Sequence, residues 1–220
     1  MKNFYSNIYS FNLRILKKTV KYLSQGNLVA IPTETVYGLA GNAYSKKAVK
    51  NIFKLKKRPK KNPLIIHYHN ISDAQKDVVF NKNFFLLYKK FCPGTLTFIL
   101  KKSKNSKITP FANSSLKTVA IRFPKNRIIR SVLKSIKFPL AMPSANLSSG
   151  LSPVNALDVC EEFKKKINLI IDGGDANIGI ESTVVDLTGK PKILRPGTIT
   201  ISTLSRFLKI DLSNNKSAIK

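Results

Sequence analysis

The sequence predicts a single α/β domain built on a twisted, mixed β-sheet flanked by helices. Three observations point there. Short apolar runs bounded by glycine or proline, such as Leu28–Ile31 and Leu64–His67, read as buried strands. Amphipathic stretches with helical spacing lie between such runs, but without strict alternation, which favours a mixed sheet. A chain of 220 residues with a 43% hydrophobic fraction supplies one real core, and neither a repeat nor a flexible linker divides it.

Residues 1–11 lack a clear period and read as a lead-in. Leu13, Leu16, Val20 and Leu23 follow helical spacing, so residues 12–24 form a helix ended by Gly26. The strand Leu28–Ile31 delivers Pro32-Thr33-Glu34-Thr35-Val36-Tyr37-Gly38-Leu39 to its end. Two hydroxyls, a carboxylate and a phenol on a rigid element suit a gripped ligand, and Gly38 lets the backbone pass close to a neighbour. An ordinary strand-to-loop corner uses the same residue types, so this stretch alone leaves both readings open.

Residues 46–57 read as a second helix, stopped by the prolines of Lys56-Lys57-Arg58-Pro59-Lys60-Lys61-Asn62-Pro63. Clustered cations on a stiff turn suit phosphate, and Arg58 presents a fork for two oxygens; a solvated basic loop is the plain alternative. The strand Leu64–His67 carries His67 to its far end. Residues 72–91 read as one amphipathic helix, Leu96–Leu100 as a strand, and the basic segment 101–115 as a mobile loop that could act as a lid. Thr118–Pro124 is a strand with Arg122 inside it. A charge there needs an anionic partner, either an internal acid or a ligand carboxylate.

A helix near 126–135 leads to Met142 and the hydroxyl-rich loop Ser144–Pro153, whose donors either wrap phosphate and ribose oxygens or merely connect. Residues 155–166 are a helix and Leu169–Ile171 a strand. Glu181–Asp186 alternates like a strand, with Ser182 and Val184 on one face. Ile193–Gly197 places Arg195 at a strand end, and residues 208–220 read as a polar tail. The domain proper therefore covers 12–207.

Composition narrows the chemistry. Lys and Arg number 39 against 11 Asp and Glu, a formal net charge of +28. Such a field draws nucleotides, RNA or acidic surfaces, although a chain-wide excess of Lys, Asn and Ile explains the surplus equally well. The acids form no Asp-x-Asp pair, EF-hand loop or His-Glu-x-x-His, and two histidines with two cysteines make no metal cluster or disulfide framework. The cysteines fit reduced thiols in a cytoplasmic protein. Neither Gly-x-Ser-x-Gly nor a Walker-type loop occurs. No apolar run nears the roughly 20 residues needed to cross a bilayer.

Five ordered segments now coincide: Pro-Thr-Glu-Thr-Val-Tyr-Gly-Leu, Lys56-x-Arg58, Ser144-Ala-Asn146, Glu181-Ser-Thr-Val-Val-Asp and Leu194-Arg-Pro-Gly. Together they resemble the YrdC-like domain of threonylcarbamoyl-AMP synthases, in its short single-domain form. The chain departs from the usual motifs in Gly-Leu-Ala-Gly, Pro-Gly-Thr and Ser-Ser-Gly, which touch loop geometry more than chemistry. The resemblance implies a twisted α/β sheet around a positively charged cavity. It implies a nucleotidyltransferase that joins L-threonine, bicarbonate and ATP into L-threonylcarbamoyladenylate and pyrophosphate, for the t6A modification of position 37 in tRNA. Magnesium would ride on the triphosphate, and a threonylcarbamoyl-transferring complex would receive the product.

Carried over onto this chain, the resemblance assigns Thr35, His67, Arg122, Met142 and Ser182 to threonine. Lys56, Arg58, Asn62, Thr118, Ser144, Asn146, Ser152 and Arg195 are assigned to ATP, with Lys56 and Arg58 as the catalytic pair. Two other readings stand beside it. A basic surface of the same fold could bind double-stranded RNA or tRNA without catalysis. The related domain of hydrogenase maturation proteins handles carbamoyl phosphate, but its zinc-finger cysteines have no counterpart in a chain with two isolated cysteines.

Overall fold

The computed structural model describes residues 6–209 and Leu212. Among them lie the strands β1 (Ile8–Ser10), β2 (Val29–Ile31), β3 (Gly38–Asn42), β4 (Ile65–His67), β5 (Val78–Val79), β6 (Leu96–Lys102), β7 (Thr118–Arg122), β8 (Leu140–Ala141), β9 (Ile170–Asp172), β10 (Thr183–Asp186) and β11 (Lys192–Arg195). The helices are α1 (Leu13–Ser24), α2 (Lys46–Lys56), α3 (Ile71–Ala74), α4 (Lys82–Phe91), α5 (Arg127–Lys134), α6 (Ala156–Phe163) and α7 (Ile201–Leu208). Side-chain oxygens of Asn12, Ser45, Asn81, Asn126, Asn155 and Thr200 cap helix starts by accepting backbone N–H bonds.

The strands form one mixed sheet in the order β1-β9-β2-β3-β8-β4-β7-β6-β10-β11, with β5 beside β6. Pairs β1–β9, β2–β9, β4–β7 and β6–β10 are parallel and the remaining pairs antiparallel. Both faces are covered. Along β2, Ala30 joins the core that contains Tyr37, Phe84 and Phe98, while Val29 and Ile31 join a second core with Leu23, Ile129 and Leu169.

Register places the chemistry. His67 pairs with Arg122, Arg122 with Thr97, Thr97 with Val184, and Val184 with Arg195. Directly paired residues point to one face of a sheet, so a single row across five strands carries His67, Arg122 and Arg195 on the same side. At about 4.8 Å per strand, His67 adjoins Arg122, and Arg195 starts three strands further along.

Several expectations need correction. The stretch read as one helix over 72–91 is α3, β5 and α4. The break serves Asp77, which is fully buried. Its carboxylate accepts from Tyr44 Oη at 2.7 Å, Tyr68 Oη at 2.9 Å, Ser106 Oγ at 2.8 Å and the Lys107 backbone N–H at 2.9 Å. A continuous helix could not bring that side chain to donors from three other segments. The same bonds tie down the segment read as a mobile lid. Lys101 and Lys102 finish β6, Ile108 and Ala112 are buried, and Thr109 N–H donates to the Ala43 carbonyl at 3.2 Å.

The lead-in read over 1–11 includes β1, an edge strand on β9, and Asn12 caps α1; residues 1–5 lie outside the described residues. Of the tail read over 208–220, Leu208 closes α7 and Leu212 is buried, while 210–211 and 213–220 lie outside the described residues. Strands β3, β5 and β8 and helix α7 have no counterpart in the sequence reading.

The Asp77 junction yields a stability test. Asp77→Asn places an amide donor against either two tyrosine hydroxyls or the Ser106 and Lys107 donors. The expected cost is about 2–3 kcal/mol, read as a lower urea midpoint.

Candidate active site

Above the row of paired residues lies a cavity of about 90 Å³ lined by Thr35, Gly38, Arg58, His67, Arg122, Met142, Ser144, Glu181, Ser182 and Arg195, among others. Three arginines therefore face one glutamate. Each wall follows from local structure. The loop after β2 turns on hydrogen bonds to Thr33, whose Oγ1 accepts from the N–H groups of Thr35 and Val36. Thr33 Oγ1 donates to the Val36 carbonyl at 2.7 Å, so at 2.8 Å it accepts from Thr35 Oγ1. Thr35 Oγ1 in turn accepts from Arg122 Nη1 at 2.9 Å. The hydroxyls thus form a polarised relay leading from the arginine into the backbone.

The question of what balances Arg122 has an internal answer. Its Nη2 donates to Glu34 Oε1 at 2.7 Å and its Nε to the Gly94 carbonyl at 3.1 Å. Glu34 Oε2 accepts the N–H groups of Lys125 and Asn126 at the start of α5. Arg195 repeats the device. Its Nη1 bonds Glu181, its Nη2 donates to Ser182 Oγ at 3.1 Å, and Nε and Nη2 both donate to the Ser182 carbonyl. In each case one guanidinium grips the carboxylate and the hydroxyl of consecutive residues, Glu34-Thr35 and Glu181-Ser182. Ser182 Oγ also meets Thr97 Oγ1 at 2.8 Å. Gly197 permits this approach, since a Cβ there would lie 2.5 Å from the Glu181 carbonyl oxygen. Gly38 admits the Met142 side chain, whose Cγ would lie 2.5 Å from a Cβ.

Arg58 reaches the cavity from the turn after α2. Asn62 and Pro63 hold it through their carbonyls, to Nε at 3.0 Å and Nη2 at 3.1 Å. It also borders a wider groove of about 670 Å³ with Lys50, Lys54, Lys60, Lys61 and Phe111.

Of the residues singled out in the sequence, Thr35, Arg58, His67, Arg122, Met142, Ser144, Ser182 and Arg195 come together. Lys56 sits behind them. Its ammonium is buried and donates to the Ser144 carbonyl at 2.6 Å and to the Asn146 carbonyl and Oδ1. Burial, with Arg58 adding to it, lowers Lys56 to about 8, which leaves it protonated at neutral pH. Asn146 is buried in the same knot, with Nδ2 donating to Gly150. Ser152 Oγ donates to Glu181 Oε1 at 3.3 Å. Asn62 is exposed and contributes its main chain, and Thr118 lies at the opposite end of β7 from Arg122, about 13 Å away at strand rise. Glu34 and Glu181 went unassigned. Their sequence signal is that, of the three acids inside the motifs, these two stand directly before a hydroxyl residue. Tyr37 faces away, bridging Gly173 and Gly174 through its phenol.

His67 is fully enclosed. Burial, reinforced by Arg122, pushes its imidazole down to about 3, so it is neutral in the folded protein at any physiological pH. The unfolded chain takes up a proton near pH 6.5, and the folded one does not until about pH 3. Between those values the unfolded state binds more protons, and stability falls with acidification. Lowering pH from 7 to 5 should cost about 2 kcal/mol through His67 alone. His67→Gln should flatten the slope of denaturation free energy against pH over this window.

Comparison with known proteins adds an independent line. Residues 21–197 match the Sua5_yciO_yrdC family model, described as "Telomere recombination". The chain is 42% identical over 192 residues to the threonylcarbamoyl-AMP synthase of Pyrococcus abyssi, covering 85% of this chain and 55% of that one. It is 32% identical over 211 residues to a putative threonylcarbamoyl-AMP synthase of Methanocaldococcus jannaschii, covering 94% and 99%. The crystal structure of P. abyssi Sua5 complexed with L-threonine superposes with a TM-score of 0.88 at 38% identity, over 93% of this chain and 61% of that one. The chain thus spans about half the length of the Pyrococcus relative and nearly all of the Methanocaldococcus one.

Proposed function

The chain belongs to the Sua5/YciO/YrdC family, and from that premise we propose that it is a threonylcarbamoyl-AMP synthase. It would join L-threonine, bicarbonate and ATP into L-threonylcarbamoyladenylate, releasing pyrophosphate. The convergence of Arg58, Arg122, Ser144 and Arg195 on one cavity carries this reading. The threonine complex of a 38% identical relative supports the amino-acid half of it.

The residues divide the work by charge and reach. Arg122 retains N–H groups beyond those given to Glu34, Thr35 and Gly94, and these would take the threonine carboxylate. Neutral His67, Thr35, Ser182 and the Met142 main chain would frame the rest of the amino acid. The threonine amine attacks bicarbonate to give a carbamate, with loss of water. A carbamate oxygen then attacks the α-phosphorus of ATP, and the bond to the pyrophosphate breaks. Both reactants are anions, so the barrier consists largely of repulsion and alignment. Fixed cations at Arg58 and Arg195 and the hydroxyl of Ser144 address both without a protein nucleophile. Lys56 serves by fixing the Ser144–Asn146 loop. A cavity of about 90 Å³ is small beside a nucleotide, so ATP would reach in with its reacting phosphate and extend outward past Arg58.

Magnesium would arrive on the triphosphate. Its ligands would then be mainly phosphate oxygens and water, while Glu34 stays committed to Arg122 and α5. A cytoplasmic enzyme handing its adenylate to a t6A-transferring complex completes the proposal. A second reading, RNA binding without turnover, is favoured by the lysine-lined groove around Phe111.

The decisive assay mixes the protein with ATP, threonine, bicarbonate and magnesium and measures pyrophosphate. Release that requires both threonine and bicarbonate is expected. Salt-sensitive RNA binding with no such release would favour the second reading. Arg58→Ala should lower turnover by about 100-fold or more at an unchanged melting temperature.

A further inference from the structure

The two arginine–glutamate pairs of the cavity are built alike but anchored differently. Glu34 is locked in place: one oxygen meets Arg122 and the other accepts two backbone N–H groups at the start of α5, and its side chain is 11% exposed. Glu181 is held loosely. Among the described residues one oxygen meets Arg195 Nη1 and the other accepts a 3.3 Å bond from Ser152 Oγ, and its side chain is 34% exposed and lines the cavity. Arg195 does not depend on it for position. The Ser182 carbonyl takes both Nε and Nη2 of the guanidinium, and Ser182 Oγ takes Nη2 as well. Removing the Glu181 carboxylate would therefore leave Arg195 aimed as before, with its Nη1 edge bare.

We infer that Glu181 is a removable counter-ion: it occupies the Arg195 edge that an incoming phosphate takes, and is displaced when a polyphosphate enters. The inference deepens the nucleotide reading above and rests on it. Its physical basis is competition. Arg58, Arg122 and Arg195 converge on one small space, and without internal anions their mutual repulsion would open it. Glu34 offsets one charge permanently. Glu181 offsets another until a ligand brings a denser charge. A single carboxylate ligand, such as that of an amino acid, offers less charge than a triphosphate to drive the exchange. Glu181 thereby makes the Arg195 side of the cavity selective for polyphosphates.

The sign of one measurement separates this role from a merely structural one. The wild type and Glu181→Gln are titrated calorimetrically with magnesium ATP, with inorganic tripolyphosphate and with L-threonine. Removal of the competing charge should tighten binding of both polyphosphates by about fivefold, the scale of a partly exposed ion pair, and leave threonine binding unchanged. Glu181→Ala should act in the same direction, which guards against an effect peculiar to the amide. Unchanged or weaker polyphosphate binding in both variants would overturn the inference while leaving ATP binding by the wild type, and hence the nucleotide reading, intact. Tighter tripolyphosphate binding with no ATP binding by any of the three proteins would do the reverse.

Discussion

The buried guanidinium of Arg122 is the constraint around which the rest is arranged. A cation 5% exposed inside a β-strand would be very costly without compensation. The fold meets it with a carboxylate, a hydroxyl and a carbonyl drawn from two separate loops. Those loops are then no longer free. The corner after β2 must sit where Glu34 and Thr35 reach the arginine, and α5 must begin where its first N–H groups meet Glu34. A single charge fixes the relative placement of β2, β7 and α5, and the hollow between them follows.

Sheet register extends that placement. Because paired residues share a face, setting Arg122 also sets His67 on one side, and Arg195 through Thr97 and Val184 on the other. Lys56 does for the third wall what the sheet does for the first two. It anchors the Ser144–Asn146 loop from the end of α2, so Ser144 is held from a helix terminus as well as by the bridge to Gly38 at the start of β3. Binding groups held this way need little reorganisation when a ligand arrives.

Much of this was legible in the sequence, and the gaps have physical causes. The strands carrying His67 and Arg122, and the helices α1, α2 and α5, announce themselves through period and punctuation. The division of 72–91 does not, because it is forced by Asp77 seeking donors from Tyr44, Tyr68 and Ser106, which only the folded chain brings near. Likewise a basic stretch such as 101–115 looks loose until Ile108 and Ala112 are seen to be buried. The need of Arg122 for a partner could be stated in advance, but the choice between an internal acid and a ligand could not, since it depends on how the Glu34 corner curls back. Thr118 and Asn62 are assigned to ATP by the resemblance alone, and neither lines the cavity.

The composition of the chain acquires a different meaning beside this geometry. Of the 39 basic residues only seven are arginine, and three of those seven face one cavity. Elsewhere the chain writes positive charge almost entirely as lysine, whose compact ammonium lacks the planar fork that grips a carboxylate and a hydroxyl side by side. At the three cavity positions the chain carries a planar cation with five donors in place of the lysine it uses almost everywhere else. Against that lysine background, the gathering of three arginines in one hollow marks it as the place where directional positive charge is concentrated.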